Sequence, residues 1–239
     1  MELLERIKRD FRFEKDELVG LLISSLAFGF IFFYGVFKDT LGNFIAAVLV
    51  VAVCLFAHIS AQKIVGLHLG LKVEYKLWWY GILASLIAVF VSGGRVWWLI
   101  VPGGVVCSVI AKYRLGRFQF GLNYVALGTV GWAGPVSSII FGGIIFKNLN
   151  LYTPFVSPWF DLIFKWSLIY AVFTLLPIPP LDGHYIFFSG RLNYAFIAGS
   201  IAVYCLLILL LGVYSYIWAI IGGFLIYIIY LTTFEIKAW

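Results

Sequence analysis

The chain has 239 residues, 63% of them hydrophobic, a mean hydropathy of +1.03 and only 12% charged. A water-soluble domain of this length cannot bury so much apolar surface, and several runs are long enough to cross a hydrocarbon core of about 30 Å. The composition therefore excludes a soluble enzyme and predicts an integral membrane protein. The net charge of +6 is unevenly placed: residues 1–18 hold about as many acids as bases, and beyond them the only acids are Asp39, Glu74, Asp161, Asp182 and Glu235. The basic excess belongs to the membrane body and its short loops. That distribution points to orientation and to anionic lipid, and no motif indicates nucleic acid.

Residues 1–18 form a charged N-terminal segment in which Leu4, Ile7 and Phe11 follow helical spacing, as in an amphipathic helix on the membrane surface. Residues 19–239 form one transmembrane domain. No cleavable signal peptide is expected, because a charged segment precedes the first apolar run. A first span is expected over about Val19–Phe37 and a second from about Phe44 through His58 to Ile64. From Leu67 to Tyr80 the texture changes, and polar and apolar residues alternate around Lys72–Lys76 with the period of a strand. Backbone off the helix at this depth must be paired inside the protein, which predicts a small membrane-associated sheet after the second span.

Gly81–Val91 and Val96–Ile110 read as two short membrane segments, either a hairpin of thin spans or partly re-entrant. The cluster Lys112, Arg114 and Arg117 marks a cytosolic loop by the positive-inside rule. A span over about Tyr124–Phe146, an outside loop over 147–161 and a re-entry over about Leu162–Phe188 follow, the last broken at Pro177–Gly183. Two apolar segments, about Ala195–Leu211 and Tyr214–Thr232, complete an all-α polytopic bundle of about six to eight membrane segments. With both chain ends cytosolic, His58 and Asp182 fall toward the cytosolic ends of their spans. Cys54, Cys107 and Cys205 form no C-x-x-C and read as small buried hydrophobes.

The chemistry-bearing stretch is Phe56–Gly66. His58 and Gln62 are four residues apart and share one helical face. A zinc metalloprotease carries H-E-x-x-H at this spacing, where two histidines bind the metal and the glutamate is the general base. Here the same frame reads H-I-S-A-Q. Asp182 is an acid in an apolar context, set among Pro177, Pro179, Pro180 and Gly183, which break the helix and free backbone groups. An ionisable group at membrane depth is costly and by default marks a site.

The second-span H-x-x-x-Q, the Gly134-Pro135 helix and Leu175-Leu176-Pro177-Ile178-Pro179-Pro180-Leu181-Asp182-Gly183 together resemble the site-2 protease family of intramembrane zinc metalloproteases. Glu74–Trp78 with Val101–Val105 looks like an archaeal branch of it, and the resemblance covers roughly residues 45–190. It implies that His58 and Asp182 match zinc ligands, that Ile59 stands where the catalytic glutamate would, and that Gln62 stands where the second histidine would. A glutamine amide is a weak zinc ligand, and isoleucine cannot accept a proton from a metal-bound water.

The first expectation is therefore an inactive homologue, with no catalytic residue intact among His58, Ile59, Gln62 and Asp182 and no cofactor. It would bind or scaffold membrane-protein segments in a groove near Glu74, Tyr75, Trp78, Pro135, Pro179 and Pro180, with a strand edge at residues 72–77 offered to an unwound client. A second expectation is a zinc metalloprotease with altered ligands, His58, Asp182 and His184; His68 is a weaker candidate, expected beyond the helix. A third is a membrane docking protein that engages a cytosolic partner through residues 1–18. The expected location is the cell membrane, multi-pass, with the N-terminus cytosolic.

Overall fold

A computed structural model describes residues 2–37, 41–110, 122–146, 157–212 and 215–235 of the chain. Helix α1 (Glu2–Asp10) is followed by extended residues 11–14 and by α2 (Lys15–Phe32), which continues into a π-helical turn over Phe33–Phe37. The start of α2 is fixed by the side chain of Glu17, whose Oε2 accepts from the backbone N–H of Glu14 at 2.7 Å, one of the donors that a helix start leaves unmade. The charged N-terminal segment thus ends inside the first apolar helix.

Helix α3 (Leu41–Leu69) has 29 residues, about 43 Å at the usual rise, and exceeds the thickness of a hydrocarbon core. Strand β1 (Leu71–Leu77), helix α4 (Trp79–Val91) and strand β2 (Gly103–Val109) follow. Helix α5 (Tyr124–Ser138) runs on as a π-helical stretch, Ile139–Phe146. Then come α6 (Ser157–Thr174), the short α7 (Asp182–Ser189), α8 (Arg191–Leu210) and α9 (Tyr216–Tyr230). Among the described residues five helices are long and apolar enough to cross a membrane: Lys15–Val36, Leu41–Leu69, Tyr124–Gly143, Arg191–Leu210 and Tyr216–Glu235; α4 is apolar but shorter. The chain is an all-α polytopic membrane protein carrying a small two-stranded sheet.

β1 and β2 pair antiparallel, from Leu71 opposite Val109 to Leu77 opposite Gly103. The alternation in β1 is that of the sequence: Leu71, Val73 and Tyr75 are buried, Lys72 and Lys76 exposed. The second strand overturns one expectation. Val96–Ile110 does not form a thin helical span; the chain turns over residues 92–98 and enters β2. Valines at Val105, Val106 and Val109 suit a pleated surface. Val105 and Cys107 are buried while Val106 and Ser108 are exposed, an alternation that apolar residues on both faces hide in the sequence.

Two smaller corrections concern boundaries. His68 lies in the last turn of α3, not beyond it, and its carbonyl accepts from Arg6 Nη1 at 3.3 Å. Residues 157–161 of the expected outside loop are already helical. Lys112, Arg114, Arg117 and residues 147–156 lie outside the described residues.

Among the described residues three apolar clusters hold the bundle. One joins α2, α3 and α6 through Phe28, Phe32, Leu55, Ile59, Trp166 and Tyr170. A second joins α6 to α8 and α9 through Leu168, Ile201, Cys205 and Ala219. The third packs one face of the sheet, Leu71, Val73, Val105 and Cys107, on Ala126, Leu127 and Val130 of α5. Large apolar side chains such as Leu22, Leu49, Leu83 and Ile217 remain exposed on the outer faces, as a lipid-facing surface requires.

Candidate functional site

His58 and Gln62 do point the same way from α3, and they meet Asp182 at the start of α7. His58 Nε2 lies 2.8 Å from Asp182 Oδ2, and Gln62 Nε2 donates to Asp182 Oδ1 at 2.7 Å. The other imidazole nitrogen, Nδ1, lies 2.8 Å from Ser138 Oγ on α5. All four side chains are buried, none more than 3% exposed. A carboxylate at Asp182 accepts from His58 Nε2 and from the Gln62 amide, and the Ser138 hydroxyl can donate to or accept from Nδ1. The four groups satisfy one another, as buried polar groups must.

Three features of the chain build this cluster. The helix-breaking run that ends at Pro180 lets a new helix begin at Asp182, so its carboxylate faces α3 from the first turn of α7. Glycine at 134 lets α5 pass directly over the cluster: a Cβ there would sit 2.2 Å from His58 Nε2 and 2.6 Å from Gln62 Nε2. Glycine at 104 lets β2 meet the proline turn, since a Cβ there would fall 1.7 Å from the Pro180 carbonyl oxygen. Tyr185 secures the same junction by donating from its hydroxyl to the Val105 carbonyl at 2.9 Å. The His58 ring rests against Tyr170, with centroids 4.6 Å apart.

The remaining expected site residues do not join. Ile59 is 1% exposed and belongs to the apolar cluster of α2, α3 and α6. The His184 ring packs against Phe188, at 4.7 Å between centroids, and Tyr185. Among the described residues no group of three or more His, Cys, Asp and Glu side chains converges as a metal's ligands would. Glu74 turns outward and pairs with Lys72 at 2.7 Å, which holds its carboxyl below the usual range, and the hydrogen bonds from Lys72 to Glu14 and then to Glu74 raise the Lys72 ammonium. Tyr75 and Pro135 are buried, Trp78 and Pro180 half-buried, and Pro179 exposed.

The donor set does not fit a catalytic zinc. Tetrahedral ligands at about 2.0–2.1 Å hold their donor atoms about 3.3 Å apart, and three good ligands are needed. Here two good ligands touch directly at 2.8 Å, and the third position offers an amide that is already donating. Ser138, His58 and Asp182 also have the connectivity of a nucleophile, base and acid. A hydrolase needs donors for an oxyanion as well, and Gln62, the amide beside them, is committed to Asp182.

Sequence reasoning missed a second buried cluster nearby. Lys63, adjacent to Gln62, pairs with Glu17 at 2.8 Å, and the two are 6% and 3% exposed. Glu17 Oε1 also accepts the backbone N–H of Tyr75 at 2.8 Å, and Lys63 donates to the Arg12 carbonyl at 3.0 Å. The signal was present in a lysine near the end of a long apolar helix, but its partner sits 46 residues earlier.

Fold and site together define a polytopic helical membrane protein with a buried, hydrogen-bonded His–Gln–Asp cluster. The chain is 28% identical, over 175 residues, to a protein of Methanocaldococcus jannaschii named "putative zinc metalloprotease", covering 72% of this chain and 84% of that one. This likeness is consistent with a metalloprotease-like family. No family model and no solved structure matches the chain.

Proposed function

We propose that this chain is a proteolytically inactive member of the site-2 protease family that binds or shields membrane-protein segments without cutting them. The observation that carries the reading is the closed His58–Gln62–Asp182 contact, with Ile59 turned into the apolar core. Direct hydrogen bonds among the three residues take the place of metal coordination, and Ile59, at the position of the family's general base, cannot accept a proton from a metal-bound water. The reading includes a multi-pass place in the cell membrane with the N-terminal segment cytosolic, supported by the basic excess of the membrane body.

Each outer edge of the sheet offers backbone to an extended client, and each has one outward group already taken. Trp78 N–H donates to Pro102 O and Ile110 N–H to Gly70 O, so even-numbered positions of β1 face β2 and odd-numbered ones face outward. On β1 the outward Tyr75 N–H is already taken by Glu17. On β2 the outward-facing backbone of Val105 and Cys107 runs beside α7, where Tyr185 takes the Val105 carbonyl. An extended client segment would add to an edge through the outward groups left over, by main-chain pairing.

A photo-crosslinking residue placed at Val106 or Ser108, with a single-span test protein whose helix is interrupted by glycine and proline, tests the reading in membranes. Adducts with intact test protein are expected. Cleavage fragments that disappear in Asp182→Ala would overturn it.

A further inference from the structure

A cavity of about 720 Å³ opens between the α1–α2 junction, the end of α3 and the sheet, apart from the His58 cluster. Five cations line it, Arg9, Arg12, Lys15, Lys63 and Lys72, against two carboxylates, Asp10 and Glu14. Both carboxylates are taken: Arg9 holds Asp10 at 2.9 Å, and Lys72 holds Glu14. Lys63 is committed to Glu17 behind the cavity wall. Arg12 and Lys15 have no side-chain partner among the described residues, and both are exposed. The cavity therefore presents uncompensated positive charge, with Phe11, Phe13 and Leu67 as apolar wall.

Its position says what kind of anion fits. Lys15 is the first residue of the first helix long and apolar enough to span, and Leu18, Val19 and Leu22 are exposed just beyond it. The mouth thus sits where a hydrocarbon core gives way to headgroups. A guanidinium beside an ammonium suits a phosphate, the arginine as a forked donor and the lysine as a point charge.

We propose that this cavity binds a phosphate-bearing anion, supplied by the headgroup of an acidic membrane lipid whose chains run along α2. The full-length protein in neutral detergent is tested with phosphatidylglycerol, with phosphatidylcholine of the same chains, and with inorganic phosphate, reading bound lipid by native mass spectrometry and thermal unfolding in parallel. Arg12→Gln/Lys15→Gln removes the two unpartnered cations, and Lys76→Gln removes a sheet charge that does not line the cavity. The wild type is expected to prefer phosphatidylglycerol to phosphatidylcholine, the double variant to lose about fivefold in that preference for each cation removed, and Lys76→Gln to retain it. Stabilisation by inorganic phosphate alone, lost in the double variant, would keep the phosphate site but assign it to a soluble ligand. Equal binding of the two lipids with no response to phosphate, or an equal loss in Lys76→Gln, would overturn the proposal.

Discussion

Asp182 accepts from two buried donors at once, so its removal orphans both His58 and Gln62. Each stranded buried group costs about 1–3 kcal/mol. Asp182→Ala is therefore expected to lower the thermal unfolding midpoint in detergent more than Ser138→Ala, which strands only the imidazole Nδ1 of His58. Gly134→Ala is expected to destabilise by about 1–3 kcal/mol through overpacking, because its Cβ would collide with His58 and Gln62. At this scale much of the site was legible: helical spacing aligned His58 with Gln62, and the acid among prolines marked Asp182. Ser138 was not legible, since serine in a membrane helix carries no signal of its own until the histidine facing it is known. Glu17 and Lys63 escaped because each was read as part of a charged or apolar stretch, whereas their meaning lies in the pair.

Among the elements, the sheet shows why one strand was readable and its partner was not. β1 exposes Lys72 and Lys76 on one face and keeps the two-residue period, while β2 packs its glycine start against the proline turn and carries apolar residues on both faces, which hide it. Gly104→Ala is expected to be the more damaging change at that junction, since its Cβ meets backbone at Pro180, and Tyr185→Phe the milder, costing about 1 kcal/mol for one hydrogen bond; unfolding midpoints of the two variants check the order. The outer face of β1 carries a pH dependence. The hydrogen bond and charge from Lys72 lower the Glu74 pKa in the folded protein. Its stabilisation is therefore complete above the ordinary carboxylate range and is lost as pH falls through the depressed value. Thermal melts from neutral to acid pH are expected to show this loss in the wild type and a smaller one in Glu74→Gln.

For the molecule as a whole, α2, α3 and the sheet are tied by one buried ion pair, Glu17–Lys63, which also takes the outward Tyr75 N–H of β1. Breaking such a pair from one side costs about 3–5 kcal/mol, whereas replacing both partners by apolar residues costs far less. Lys63→Met is expected to be more damaging than Lys63→Met with Glu17→Gln, which removes the stranded charge and keeps an oxygen for the Tyr75 N–H, a non-additivity that unfolding of the single and double variants would show. The bundle class was legible because apolar length is set by the bilayer; how the helices meet was not, because lipid-facing and buried sides are equally apolar.

The central claim is that His58, Gln62 and Asp182 bond to one another in place of holding zinc. Elemental analysis of the purified protein after zinc reconstitution, beside Ile59→Glu/Gln62→His, tests it most directly. The account predicts less than a tenth of an equivalent in the wild type, as an order of magnitude for a site with two good ligands, and near-stoichiometric zinc in the variant with the restored motif. Near-stoichiometric zinc in the wild type, lost in both His58→Ala and Asp182→Ala, would contradict it.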